Sequence, residues 1–245
     1  MPTLSVIIPT FNEEAFVEEA LKSVTFADEI IVVDSFSTDS TEKIAKKYCS
    51  KFLQRKFDNF SNQKNFALNE ATGDWILFVD ADERIPEALR KEILNTLQNP
   101  KHGGYKLNFP HYFMDRFLYH HSDNVLRLVK RNGANFTGLV HEKLNCEGSI
   151  GQLKSMVEHY TYKGLNAYIS KKEAYAWFQA EQLFKKGKKV RWFHLFFKPS
   201  FRFFKSYIIR GSYKDGVPGL AIAAINAYGV FSRYAKLMLL QRGMR

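Results

Sequence analysis

The residues best suited to chemistry are Asp80 and Asp82, at the end of Gly73-Asp74-Trp75-Ile76-Leu77-Phe78-Val79-Asp80-Ala81-Asp82-Glu83. Trp75 to Val79 reads as a buried β-strand, and a strand alternates faces with period two. Asp80 and Asp82 therefore project to the same side where the strand ends. Burying such carboxylates unpaired is costly, so packing gives no reason for them. A divalent cation shared with a diphosphate does, because Mg²⁺ and Mn²⁺ take hard oxygen ligands. An exposed acidic turn ahead of a helix has the same signature, so the pair gains meaning only from what surrounds it.

The surroundings are a run of alternating elements. Leu4 to Pro9 is a continuous apolar strand, as in a sheet covered on both faces. Thr10-Phe11-Asn12-Glu13-Glu14 follows, with Asn12 expected to cap a helix whose core face is Phe16, Val17, Ala20, Leu21 and Val24. Glu29 to Asp34 is a second buried strand. Asp39 and Glu42 fit a capping box for a helix reaching Tyr48. A short strand, Lys51 to Gln54, and a helix from about Ser61 to Ala71 lead into the Trp75 strand. The order β-α-β-α-β-α-β predicts a doubly wound, mostly parallel α/β sheet, whose ligands bind beyond the carboxyl ends of its strands. Those ends carry Pro9-Thr10-Phe11, Asp34-Ser35 and Asp80-Ala81-Asp82, so three polar tips are expected to converge on one crevice. Neither Gly-x-Gly-x-x-Gly nor a Walker-type Gly-Lys-Ser/Thr occurs, which argues against nicotinamide and P-loop chemistry.

A net charge of +11 points to an anionic partner: nucleic acid, an acidic membrane surface or a phosphorylated substrate. Cys49 and Cys146 lie far apart, without metal-finger spacing or a disulfide framework. The N-terminus has no basic n-region, so no signal peptide is expected. The uncharged run between Asp215 and Arg233 reads as a buried or interfacial helix rather than a spanning one. Basic residues interleaved with Trp and Phe fill Lys185 to Tyr207. That mixture suits an interfacial helix on anionic lipid, a stacking surface for single-stranded nucleic acid, or a helical cap with solvated lysines. No RNA-binding fingerprint accompanies it.

Three coupled stretches carry a more specific signal: Ser5-Val6-Ile7-Ile8-Pro9-Thr10-Phe11-Asn12-Glu13-Glu14, Val32-Val33-Asp34-Ser35-Phe36-Ser37-Thr38-Asp39, and Gly73 through Glu83. In order and spacing they resemble family 2 glycosyltransferases of GT-A fold. The remainder is similar, more loosely, to the branch that holds bacterial lipopolysaccharide core β-glucosyltransferases. Gln63-Lys64-Asn65, Leu126-Arg127-Leu128, Val140-His141-Glu142, His159-Tyr160-Thr161-Tyr162 and Arg210-Gly211 through Asp215-Gly216 carry that second likeness.

The resemblance implies that Pro9, Phe11, Glu13 and Asp34 line a nucleoside pocket, that Lys64 belongs to the nucleotide-sugar site, and that Asp80-Ala81-Asp82 is the metal-binding DxD. Many relatives have an acid where Ser35 stands here, although UDP remains the commonest donor nucleotide. Arg127 reaches a diphosphate if its strand extends the sheet; otherwise it is a surface arginine. Inverting transfer needs a group to take the acceptor proton, a role worth roughly 10²–10⁴-fold. Glu142 is the expected base, with His141 a ligand or acceptor contact. His159 is a candidate third metal ligand beside Asp82 and Asp80, or a satisfied core histidine.

The expectation is thus a glycosyltransferase using Mg²⁺ or Mn²⁺, a nucleotide-sugar donor and a lipid-linked glycan acceptor, peripheral to the cytoplasmic face of an inner membrane and not binding nucleic acid. Residues 1–100 are expected to form the nucleotide-sugar half, 101–163 the acceptor half, and 164–245 a helical C-terminal extension. A sugar nucleotidyltransferase, or a non-catalytic basic membrane- or nucleic-acid-binding protein, is the alternative. The Pro9-to-Glu13 loop lacks the Gly-rich, basic character of the former.

Overall fold

A computed structural model describes residues 2–138, 142–160 and 165–244, without the side chains of His121 and Ala167. The chain divides into two compact units, Met1–Phe109 with Asp123–Tyr160, and Pro110–Ser122 with Thr161–Arg245.

The first unit opens with β1 (Leu4–Thr10), α1 (Val17–Ser23), β2 (Glu29–Asp34), α2 (Thr41–Ala45), β3 (Lys51–Gln54), α3 (Phe60–Glu70) and β4 (Trp75–Phe78). The chain continues through β5 (Glu83–Arg84), α4 (Glu87–Gln98), β6 (Gly104–Phe113), β7 (Arg116–Lys130), β8 (Asn135–Thr137), β9 (Lys143–Asn145), β10 (Ile150–Met156) and β11 (Glu158–His159), the end of β6 and the start of β7 being counted with the second unit. Seven strands form one sheet in the order β10-β6-β7-β4-β1-β2-β3. Strands β3, β2, β1 and β4 are mutually parallel, as the alternation of strands and helices requires. Strand β7 joins β4 antiparallel, with Leu77 opposite Leu128. This is a doubly wound, mostly parallel α/β sheet. Trp75 to Val79 is fully buried, because helices cover both faces.

Gly73 is required where β4 begins. A Cβ there would lie 2.6 Å from Ser5 Oγ and 2.7 Å from Ser5 N, so only glycine lets the chain pass β1 so closely.

Two local expectations are corrected. Asn12 does not cap a helix: α1 starts at Val17, and Asn12 sits in the left-handed region at φ 54°. Its side chain instead accepts from Thr38 N at 2.8 Å, while its own N–H donates to Ser37 Oγ, tying the β1 and β2 tips together. Helix α2 ends at Ala45 rather than Tyr48. Asp39 does accept from Thr41 N, but its other oxygen accepts from Glu14 N, so it too ties two loops.

The second unit holds α5 (Leu165–Lys185), α6 (Trp192–Phe204) and α7 (Gly216–Gln241). Leu237 of α7 packs with Ala180 of α5 and Leu195 of α6, and Glu173 of α5 is ion-paired to Lys236 of α7. Asp215, just before α7, accepts from the His120 ring at 3.1 Å. Among the described residues no helix is long and apolar enough to cross a membrane.

Candidate active site

The carboxyl ends of β1, β2 and β4 come together by register, with Thr10 level with Asp34 and Ile7 with Phe78. Asp34 is fully buried and wholly engaged. It accepts from Thr10 Oγ1 at 2.9 Å, Ser37 N at 2.8 Å and Ser37 Oγ at 2.5 Å. It thereby shapes the β2 tip from within. Phe11 is exposed beside it and Pro9 half-buried. Glu13 begins α1's approach, its carbonyl accepting from Phe16 N and Val17 N. Ser35 accepts from Gln63 Nε2 at 3.1 Å, and Gln63 accepts in turn from Arg55.

The tip of β4 is a compact charge cluster. Arg127 Nη2 lies 2.7 Å from both Asp80 Oδ2 and Glu83 Oε1. It gets there because β7 does extend the sheet, as the sequence required for any role of Arg127 at the site. Asp80 N donates to Glu83 Oε2, and Glu83 N to Asp80 O, closing a tight turn. Lys64 Nζ lies 3.8 Å from Asp80 Oδ1 and 3.4 Å from Glu142 Oε1, above the Phe136 ring. The two-residue ribbon of β5 and β11 sets His159 opposite Glu83 and carries its Nε2 to 3.2 Å from Asp82 Oδ2.

Electrostatics follow from these distances. Burial would raise the Asp80 carboxyl, but the Arg127 and Lys64 cations outweigh it and hold the group well below the usual range. Burial pushes Glu83 up to about 7, with Asp80 adding to the effect and Arg127 opposing it. Burial would lower Arg127, yet Asp80 and Glu83 raise it, so it stays charged. Burial likewise opposes protonation of His159, but its contact with Asp82 raises it overall.

Helix α3 fixes the segment that leads to Glu142. Ser61, Lys64 and Asn65 share one face at helical spacing. Ser61 Oγ donates to Gly138 O at 2.5 Å. The Asn65 amide donates to Phe136 O at 2.9 Å and accepts from Phe136 N at 2.8 Å, behaving like an extra strand beside β8. Glu142 immediately precedes β9, the antiparallel partner of β8. His141, Leu139, Val140, Thr161, Tyr162, Lys163 and Gly164 lie outside the described residues, so the expectation for His141 has no structural counterpart.

The expected metal trio is brought together in part. Asp82 faces His159, whereas the Asp80 carboxylate is engaged by two cations. Among the described residues no three carboxylate, imidazole or thiol groups converge as a metal cluster. The donors nevertheless fit a shared ion: an oxygen and an imidazole face each other and leave coordination positions for a ligand's oxygens. Arg127 Nε is buried without a partner among the described residues.

Sequence reasoning missed Glu83. An acid just before a helix reads as a dipole partner, and nothing in the sequence reveals that it is 1% exposed and clasps Arg127. The clamp from Ser61 and Asn65 was equally hidden, since small polar residues on a helix are common.

A mostly parallel sheet with an acidic and basic cluster at its strand ends is the architecture of a protein that binds its ligand beyond the carboxyl ends of its strands. Comparison with known sequences makes this specific: residues 5–161 match the model for glycosyl transferase family 2, and the chain belongs to that family. An uncharacterized glycosyltransferase of Rickettsia felis is 30% identical, covering 97% of this chain and 90% of its own. The lipopolysaccharide core biosynthesis glycosyltransferase LpsC of Rhizobium meliloti is 28% identical, covering 96% and 91%. Among solved structures, glucosyl-3-phosphoglycerate synthase from Mycobacterium tuberculosis with Mg²⁺ and uridine diphosphate aligns with a TM-score of 0.51 and 18% identity. It covers 71% of this chain and 77% of that one, a likeness of fold. The protein is a glycosyltransferase, which sets aside the nucleotidyltransferase and non-catalytic readings.

Proposed function

We propose that the enzyme is an inverting, metal-dependent glycosyltransferase. It moves a hexose from a UDP-sugar to a lipid-linked glycan such as lipopolysaccharide core, at the cytoplasmic face of an inner membrane. The observation that carries this reading is Lys64 Nζ standing between Asp80 and Glu142, 3.8 and 3.4 Å away. It sets the Glu142 carboxylate beside the Asp80-Ala81-Asp82 tip, where acceptor and donor would meet.

In this reading the donor lies across the ends of β1, β2 and β4, its nucleoside against Pro9, Phe11 and Glu13, while Asp34, expected to line the same pocket, is buried and shapes the β2 tip from beneath it. Its diphosphate lies beside Ala81, between the Lys64 and Arg127 cations. Asp82, His159 and Asp80 would hold Mg²⁺ or Mn²⁺, which supplies Lewis-acid stabilisation of the departing diphosphate. Glu142 takes the proton from the acceptor hydroxyl as its oxygen attacks the anomeric carbon. The bond from that carbon to the diphosphate oxygen breaks on the opposite face, and its electron pair leaves with the nucleotide. Arg127 and Lys64 face the charge that develops there, in a site whose cations are already positioned. LpsC, by its name a lipopolysaccharide core enzyme and similar along almost the whole chain, supports the acceptor class.

The test is nucleotide release from a panel of nucleotide-sugars with Mn²⁺, Mg²⁺ or chelator, with and without core acceptor. Metal-dependent release of UDP that acceptor stimulates is the expected result. Glu142→Gln should bind donor normally and lose transfer by about 10²-fold or more. Full transfer by Glu142→Gln would remove the base assignment, and equal rates in chelator would remove the metal.

A further inference from the structure

The second unit carries a feature that sugar transfer does not use. Along α6, Phe193, Phe196, Phe197, Phe201 and Phe204 recur at helical spacing and share one face. Trp192, Phe196, Phe197 and Phe201 each leave 61–67% of their surface exposed. The other side of α6 is the packed one: Leu195 joins the Ala180, Tyr234 and Leu237 cluster, and His194 in the first turn is buried against the Tyr234 ring, 5.1 Å away. A π-helical turn, Lys205–Ile209, continues α6 and exposes Ile208 and Ile209.

Helix α7 has a stripe of its own. Val217, Leu220, Ala224, Tyr228 and Phe231 follow one another at three- and four-residue steps and are all exposed. An open apolar groove of about 490 Å³ runs between the two helices, lined by Pro199 and Phe203 from α6 and by Ala224, Ala227, Tyr228 and Phe231 from α7. The groove takes in Ala224, Tyr228 and Phe231 of the α7 stripe and, on α6, Pro199 and Phe203 beside the aromatic face. Soluble proteins seldom expose so large a patch without a partner for it.

Charge identifies the partner. Between Gln182 and Lys214 the chain has ten Lys and Arg and no Asp or Glu, against a net charge of +11 for the whole protein. Lys188, Lys189 and Arg191 lead into α6, Lys198 and Lys205 flank its aromatic face, and Arg210 and Lys214 precede α7. A second copy would bring two such cationic surfaces together, which costs energy. Nucleic acid would answer the charge, but Ile208, Ile209, Val217 and Leu220 are aliphatic and offer no stacking plane. Hydrocarbon bounded by anionic headgroups answers both features.

We propose that the apolar faces of α6 and α7 form a docking surface for an anionic lipid bilayer. The aromatic and aliphatic side chains enter the headgroup–acyl boundary, and the cations contact lipid phosphates. The surface lies on the membrane and does not span it. This inference is independent of the transfer reaction, because lipid binding is measured without donor or acceptor.

The experiment is co-sedimentation of the full chain with phosphatidylcholine vesicles, with and without phosphatidylglycerol, at low and high salt. Emission from Trp192, 67% exposed in the free protein, is recorded alongside with Trp192→Phe as blank. The expected results are sedimentation only with anionic vesicles, a blue shift of Trp192, and release by salt. Lys188→Glu with Lys189→Glu should weaken partitioning by roughly tenfold or more. Phe197→Ser with Phe201→Ser on α6, or Leu220→Ser with Phe231→Ser on α7, should do the same by roughly tenfold. All these side chains are on the surface, so unchanged thermal melting checks that the variants fold. The proposal fails if the wild-type chain stays in solution with anionic vesicles or if the α6 and α7 variants partition as wild type. It also fails if light scattering shows a dimer that those variants dissolve, or if single-stranded RNA competes the protein off vesicles and shifts Trp192 itself.

Discussion

Asn65→Ala tests whether α3 positions Glu142, the proposed base. The Asn65 amide makes two hydrogen bonds to the backbone of Phe136, at 2.8 and 2.9 Å, on a residue only 7% exposed. Each bond is worth about 1 kcal/mol net, and stranding the Phe136 N–H away from water adds to the loss. The whole is about 2–3 kcal/mol. At roughly 2–4 °C per kcal/mol for a protein of this size, the first unit should melt about 5–10 °C lower. Asn65→Asp keeps the acceptor for Phe136 N and loses the donor to Phe136 O, so it should retain part of that stability. The functional consequence is more specific. With β8 released, Glu142 loses its fixed place beside Lys64, so the rate of transfer should fall while donor affinity, set at the strand tips, stays within about twofold. The assay pairs thermal unfolding with transfer kinetics and donor binding. Unchanged melting with unchanged transfer would refute the clamp, and a parallel loss of donor binding would show that α3 holds the donor site rather than the base.

Three further outcomes follow from other contacts. Asp82→Ala and His159→Ala should each raise the Mn²⁺ concentration needed for half-maximal activity, since the two side chains face each other at 3.2 Å; metal titration reads this, and unaltered metal curves would contradict it. Arg127→Met should weaken donor binding in calorimetry, and should also destabilise the fold by about 3–5 kcal/mol because Asp80 and buried Glu83 lose their common cation. Glu29 predicts the acid limb of stability. Burial would raise its carboxyl, but Ser5, Thr72 and Lys51 together bring it down to about 2. A depressed folded pKa stabilises above the unfolded value of 4.5 and ceases to do so as pH falls through about 2, a contribution of roughly 3 kcal/mol. Urea unfolding of Glu29→Gln should therefore be flatter than wild type between pH 4.5 and 2; parallel curves would exclude Glu29 as the cause.

Much of the first unit was legible in the chain. Glu29–Asp34 and Lys51–Gln54 are strands at the residues expected; for the first, an unbroken apolar run bounded by turn residues has few other ways to be buried. The loops after β1 and β2 were less legible. Asn12 and Asp39 carry helix-capping chemistry, but their side chains bond across to the neighbouring loop, and a sequence does not say which backbone amide an Asx side chain will find.

The sequence by itself determined the sheet, the family and the acidic tip at Asp80 and Asp82, since these rest on local periodicity and on motifs that sit at strand ends. Only the tertiary structure decided how the tip is wired. Arg127 reaches Asp80 because β7 joins the sheet antiparallel, Lys64 because α3 packs beneath β8, and His159 because a two-residue ribbon returns it to Asp82. It also decided that Glu83 is a buried anchor and that an apolar groove runs between α6 and α7. Each is a contact between residues remote in sequence, fixed by which faces must be covered, and local pattern carries no record of that choice.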